Sequence, residues 1–172
     1  MPCRQPTLED ASALATIHVR AWQSAYAGVM PADFLARLDE SAGAERWRDF
    51  IRKTPESALV CERDSEVAGV CQFGPSRDDD APEDRGEIYS LNVLPDRWRS
   101  GIGRELMAAS LDQLSGRSLA SPTLWVVSSN DRARRFYEAL GFAPDGVTKI
   151  DSDLTGVSLA ETRYVLSSVL SA

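Results

Sequence analysis

Between Gly86 and Met107 the sequence reads GEIYSLNVLPDRWRSGIGRELM, a β-rich run, a turn holding two glycines and the start of an apolar-periodic helix, in that order. Glycines at 101 and 103 let the backbone come close to a bound group, while the unpaired amides of a first helical turn carry the positive end of the helix dipole. That arrangement suits an anion. Arg97, Arg99 and Arg104 add three positive charges within eight residues, which points to a phosphate-bearing ligand rather than a bare carboxylate. An ordinary strand-to-helix turn with surface arginines has the same letters. A dinucleotide fingerprint would need a third glycine where Leu106 stands, and a nucleoside-triphosphate loop would need Gly-Lys-Ser/Thr, which the sequence lacks.

The elements that must hold this turn can be read from periodicity. Residues Pro2 to Pro6 read as a short first strand, and Thr7 with Asp10 three residues on resembles a capping box that opens a helix reaching Trp22. Its apolar stripe is Ala11, Leu14, Ile17 and Ala21, and His18, the sole histidine, reads as a core-edge residue rather than a catalyst. Trp22, Tyr26, Gly28 and Pro31 mark a break, followed by helices over Ala32 to Leu38 and Ala44 to Ile51. Trp22 and Tyr26 either line a pocket or plug the core. The runs ALVCE and VAGVCQF, joined at Arg63-Asp64-Ser65, predict an antiparallel hairpin. The segment SRDDDAPEDRG, with five acids between Asp78 and Asp84, reads as a solvated loop or a negative rim. Strands over Glu87 to Val93, Thr123 to Val127, Gly146 to Ile150 and Glu161 to Val169 complete the set, with a helix between Asn130 and the stop at Gly141.

At 172 residues and 43% hydrophobic, the chain suits one domain over 1–172 with a sizeable core. A net charge of −7 argues against nucleic-acid and anionic-membrane partners and is compatible with an amine substrate. The three cysteines, Cys3, Cys61 and Cys71, are scattered without C-x-x-C spacing, so neither a disulfide framework nor a metal site is suggested and a reducing cytoplasm is the natural setting. No run approaches the roughly 18 apolar residues of a membrane span.

Two segments together resemble the GNAT superfamily of acyl-CoA-dependent N-acetyltransferases. One is Trp98-Arg99-Ser100-Gly101-Ile102-Gly103, similar to the family's pyrophosphate loop except that Trp98 stands where Gln or Arg is usual. The other is Asn130-x-x-Ala133-x-x-x-Tyr137-Glu138-x-x-Gly141-Phe142, similar to its late helix. The resemblance implies a mixed α/β fold: a single twisted, mostly antiparallel sheet of about seven strands, helices on both faces, and the fourth and fifth strands splayed around acetyl-CoA. It implies pyrophosphate contacts from Arg99, Ser100, Gly101, Ile102, Gly103 and Arg104, and pantetheine contacts from Leu91, Asn92, Val93 and Asn130.

The implied reaction is direct attack of a primary amine on the thioester. A lysine-like amine of pKa about 10.4 is under ~0.1% neutral at pH 7, so a base or water relay is expected. Glu87 is the candidate base, and the Val93 amide the candidate oxyanion donor. By motif position Tyr137 matches the family's general acid; a core aromatic is its other reading. Trp22 and Tyr26 are candidate acceptor contacts, the acceptor being a small-molecule or peptide amine. A homodimer follows from family habit alone. The competing readings are a non-catalytic acyl-CoA-binding module and an unrelated phosphate-binding α/β domain.

Overall fold

The computed structural model describes residues 3–151 and 157–167. Its strands form a six-stranded sheet in the order β1-β2-β3-β4-β6-β5: β1 Ala58–Arg63, β2 Glu66–Pro75, β3 Arg85–Val93, β4 Ala120–Val127, β5 Phe142–Asp151 and β6 Leu159–Leu166. The helices are α1 Ala11–Ala25, α2 Ala32–Ala36, α3 Glu40–Lys53, α4 Ile102–Gly116 and α5 Asp131–Glu138. The sheet is antiparallel at β1–β2, β4–β6 and β5–β6, and parallel at β3–β4, where α4 provides the crossover that a parallel pair needs. The expected first strand contracts to a single bridge between Arg4 and Val60, so the sheet has six strands rather than seven. Pro2, and the segment to Val169 at the end of the last expected strand, lie outside the described residues.

Two compact units share the chain: Met1–Gln72 with Ser90–Ser110, and Phe73–Tyr89 with Leu111–Ala172. In the first, the Thr7 amide donates to Asp10 Oδ2 at 2.7 Å, as the capping box requires, and α1 follows. The β1–β2 turn sits on Asp64 and Ser65 at φ 55° and 66°, the doubly left-handed geometry of a type I′ hairpin. Strand alternation sorts the two sides of this unit. Val60 and Val70 pack into a core with Leu14, Ile17, Trp47 and Ile51 of α1 and α3, while a Cβ added to Gly69 would meet Ile102 and Leu106 of α4 at 2.9 and 3.0 Å. Glycine at 69 thus suits the close approach of α4, because a Cβ there would force those side chains to shift and crowd the Asn92 carbonyl at 3.1 Å.

The second unit corrects one expectation. The acidic segment is not simply a solvated rim: Asp78 and Asp80, with Asp145, surround the Arg163 guanidinium, which donates to Asp80 Oδ1 and Asp145 Oδ2 at 2.7 Å and to Asp78 Oδ2 at 3.2 Å. The Trp125 indole N–H donates to the other Asp78 oxygen at 2.9 Å. Arg163 is 9% exposed, so removing it leaves two largely buried carboxylates facing each other. Arg163→Ala is expected to cost about 3 kcal/mol and lower the thermal midpoint by roughly 6–12 °C. Arg52→Ala, in an exposed pair on α3, is expected to stay within about 1 °C. Equal melts for the two variants would show the cluster to be incidental.

Candidate active site

In the first unit, β3 ends at Val93 and residues 95–97 form a short 3-10 turn. Trp98 then donates its indole N–H to the Val93 carbonyl at 2.8 Å, and Ser100 Oγ donates to the Arg97 carbonyl at 2.6 Å. The residue that departs from the usual loop pattern therefore anchors the loop to the end of the strand. Arg99 and Gly101 both take positive φ, 63° and 91°. Only glycine adopts that backbone without strain, so Gly101 is matched to its position and Arg99 is held there at a cost of about 1 kcal/mol.

The consequence lies in the amides. Among the described residues, none of the backbone N–H groups from Arg99 through Arg104 donates to a protein oxygen; the first that does is Glu105, to the Gly101 carbonyl at 3.0 Å. Six consecutive donors at the start of a 15-residue helix, with two arginines among them, make an array of the kind that suits an anion. Arg97 faces a different partner, Asp64, at 2.8 Å.

Upstream on β3, Ser90 Oγ donates to Gln72 Oε1 of β2 at 3.0 Å, and the Leu94 amide donates to Ala68 at 2.9 Å. Gln72 also lines a cavity of about 190 Å³ between α1 and α3, walled by His18, Val19, Arg46, Trp47 and Phe50. Trp47 and Phe50 meet edge to face at 5.5 Å. Burial, with the Arg46 charge adding to it, holds the His18 imidazole below its ordinary range and so neutral at pH 7. His18 stacks on Trp22 at 4.7 Å, and Trp22 meets Tyr26 at 5.3 Å, so the two aromatics read as acceptor contacts continue from His18 along α1. Sequence reasoning missed Gln72, Arg46 and Trp47; the i, i+3, i+4 pattern marks α3 as amphipathic but cannot say which helix it faces.

In the second unit Glu87 is 2% exposed, and both of its oxygens are engaged by Arg77. The Arg77 amide donates to Oε2 at 2.7 Å and the guanidinium Nη2 to Oε1 at 2.7 Å. Oε1 also accepts from the guanidinium Nε at 3.3 Å, so Oε2 is the oxygen that keeps a lone pair for a further donor. Arg77 also lies over the Tyr89 ring at 4.0 Å, a contact with no signal in the local sequence. The β3–β4 register runs from Arg85–Ala120 to Ile88–Leu124; Val93 and Val127 lie beyond its last pair. After β4, Asn130 caps α5, its side-chain oxygen accepting from the Ala133 amide at 3.1 Å. Tyr137 is half-buried on α5, edge to face with Phe136 at 5.4 Å and Phe142 at 6.1 Å. Among the described residues no cluster of His, Cys, Asp or Glu could hold a metal ion, and no helix is long and apolar enough to cross a membrane.

The strand-turn-helix after β3 and the capped α5 are the two segments on which the sequence resembles the GNAT superfamily. The sequence profile of the acetyltransferase (GNAT) family matches residues 18–142. The N-acetyltransferase YuaI of Bacillus subtilis is 30% identical over 92% of this chain and 88% of its own length. A mycothiol acetyltransferase of Acidimicrobium ferrooxidans is 33% identical over 59% of this chain, which is 31% of that protein. The PaiA N-acetyltransferase of Thermoplasma acidophilum, solved with coenzyme A, superposes with a TM-score of 0.74 over 93% of this chain and 96% of its own, at 18% identity. The Salmonella typhimurium acetyltransferase YncA, solved with acetyl-CoA, superposes with a TM-score of 0.70 over 97% and 93%. The chain belongs to the GNAT acetyltransferase family and is an acyltransferase of N-acetyltransferase type.

Proposed function

We propose that the protein moves an acetyl group from acetyl-CoA to a primary amine by direct attack in a ternary complex, as one domain over 1–172 acting in the cytoplasm. The observation that carries the reading is the run of unpaired amides from Arg99 to Arg104, which suits a pyrophosphate. The relatives solved with coenzyme A and acetyl-CoA add support. In this reading Ser100, Gly101, Ile102 and Gly103 hold the diphosphate, Arg99 and Arg104 neutralise it, and Leu91, Asn92, Val93 and Asn130 hold the pantetheine arm.

The amine nitrogen attacks the thioester carbonyl, and the Val93 amide steadies the oxyanion. Glu87 acts through a water on the spare lone pair of its Oε2 to take the amine proton. The C–S bond then breaks, and the CoA thiolate takes a proton from the Tyr137 hydroxyl. The cavity beside Gln72, smaller than the roughly 300–1,000 Å³ of drug-sized sites, suits a small amine or the end of a peptide, with Trp22 and Tyr26 behind its His18 wall. A homodimer, with neither nucleic acid nor membrane as partner, completes the proposal.

The decisive measurement is CoA release across a panel of amines with acetyl-CoA as donor, corrected for the chain's own three thiols. Release with at least one amine is expected; acetyl-CoA binding without release for any amine would favour the non-catalytic acyl-CoA-binding module. His18 supplies a second check, being the only histidine. Arg46→Glu is expected to raise the pH at which its ring titrates, because the charge that helps depress it is reversed. Adding an accepted amine is expected to shift the same NMR signals in the unmodified protein. Ring signals that ignore every accepted amine would take the cavity out of the site.

A further inference from the structure

Two of the three cysteines, far apart in the chain, are neighbours in the fold. Arg4 and Val60 exchange both backbone hydrogen bonds, at 3.0 and 2.8 Å, as a hydrogen-bonded pair of antiparallel segments. Cys3 and Cys61 are therefore the adjacent directly opposed pair, of the non-hydrogen-bonded kind, on one face and with Cα atoms about 4.5 Å apart. That separation lies at the short end of the roughly 4.4–6.8 Å window for disulfides. Cys61 sits close enough to Cys3 to help push the Cys3 thiol up. Cys61, fully buried, also donates to Glu105 Oε2 at 3.5 Å, and Arg63 donates to Cys61 Sγ at 3.8 Å while pairing with Glu105. Cys3 is partly exposed.

We propose that Cys3 and Cys61 are a modification site: they close a cross-strand disulfide when the protein meets a low-molecular-weight disulfide such as oxidised glutathione. Cys3, the accessible thiol, attacks one sulfur of the oxidant as its thiolate, breaking the S–S bond and releasing one thiolate that takes up a proton. Cys61, its proton accepted by Glu105 and its thiolate steadied by Arg63, then attacks Cys3 Sγ and expels the second thiolate, which takes that proton. The protein loses two hydrogens and the oxidant becomes two thiols. Burial and the Cys61 contact push the Cys3 thiol up to about 12, so closure takes minutes to hours rather than seconds. The bridge staples the N-terminal segment to β1 and closes a loop of roughly 60 residues, which raises the thermal midpoint by roughly 5–15 °C.

The test is incubation of the reduced full chain with excess oxidised glutathione, followed by intact mass and peptide mapping. The expected product lacks the mass of two hydrogens, yields a Cys3–Cys61 linked peptide, melts higher, and returns to the starting midpoint with dithiothreitol. Cys71, fully buried with its thiol pushed up to about 12, should remain free to alkylate after denaturation, and Cys71→Ala should close the same bridge. In Cys61→Ser the reaction should stop at one glutathione on Cys3, and in Cys3→Ser no bridge should form. A product carrying glutathione on both Cys3 and Cys61, a bridge through Cys71, or an unmodified native chain after a day would each overturn the proposal. It stands independently of the transferase reading, since none of these measurements uses acetyl-CoA.

Discussion

Gly101→Val is expected to weaken acetyl-CoA binding about 100-fold or more, measured by calorimetry, while the protein stays folded. Gly101 sits at φ 91°, a region closed to a β-branched residue, so valine must rotate the backbone back to negative φ. That rotation moves the Ser100, Gly101 and Ile102 amides together. Losing two hydrogen bonds to a charged diphosphate, at about 1.5 kcal/mol each, gives roughly the 100-fold stated. The cost to folding is smaller. A Cβ built at 101 meets only Glu105 Oε1, at an ordinary 3.8 Å, so no packing is broken and only the turn's strain of about 1–2 kcal/mol is felt. Gly103→Val, in the first turn of α4, is expected to act in the same direction by placing methyl groups among the donors. Unchanged affinity in both variants would remove the anion loop and the cofactor assignment with it.

Tyr137→Phe is expected to lower kcat roughly 10- to 1000-fold with the dissociation constant for acetyl-CoA unchanged. The substitution keeps the ring, and with it the edge-to-face contacts to Phe136 and Phe142, so the melting midpoint should hold within about 2 °C. What it removes is one proton donor. The kcat range corresponds to about 1.4–4 kcal/mol of lost transition-state stabilisation. A fall in affinity with kcat intact would place Tyr137 in binding instead, and full turnover would take it out of the mechanism.

Much of the fold was legible because its signals are local. The Thr7–Asp10 cap, the left-handed Asp64-Ser65 turn and the Gly141 stop at φ 91° are each settled by a few adjacent residues, and the structure has all three. The strand-turn-helix around Gly101 was legible for the same reason: a strand closed by Pro95, glycine at 101 and an apolar-periodic helix require nothing distant. Boundaries moved where tertiary pairing extends an element, as when β5 begins at Phe142 by pairing with Leu166 rather than at Gly146.

What the sequence by itself determined, then, is the order of elements and the turn that leaves six amides without acceptors, because backbone conformation at glycine and in a first helical turn depends on the residues present there. What only the tertiary structure decided is who meets whom across long stretches of chain. Glu87 is held by Arg77, Arg163 gathers the acidic segment, His18 and Arg46 share a cavity, and Cys3 lies opposite Cys61. Those meetings depend on strand register, where a slip of one residue turns every side chain to the other face, and no local pattern of letters encodes that register.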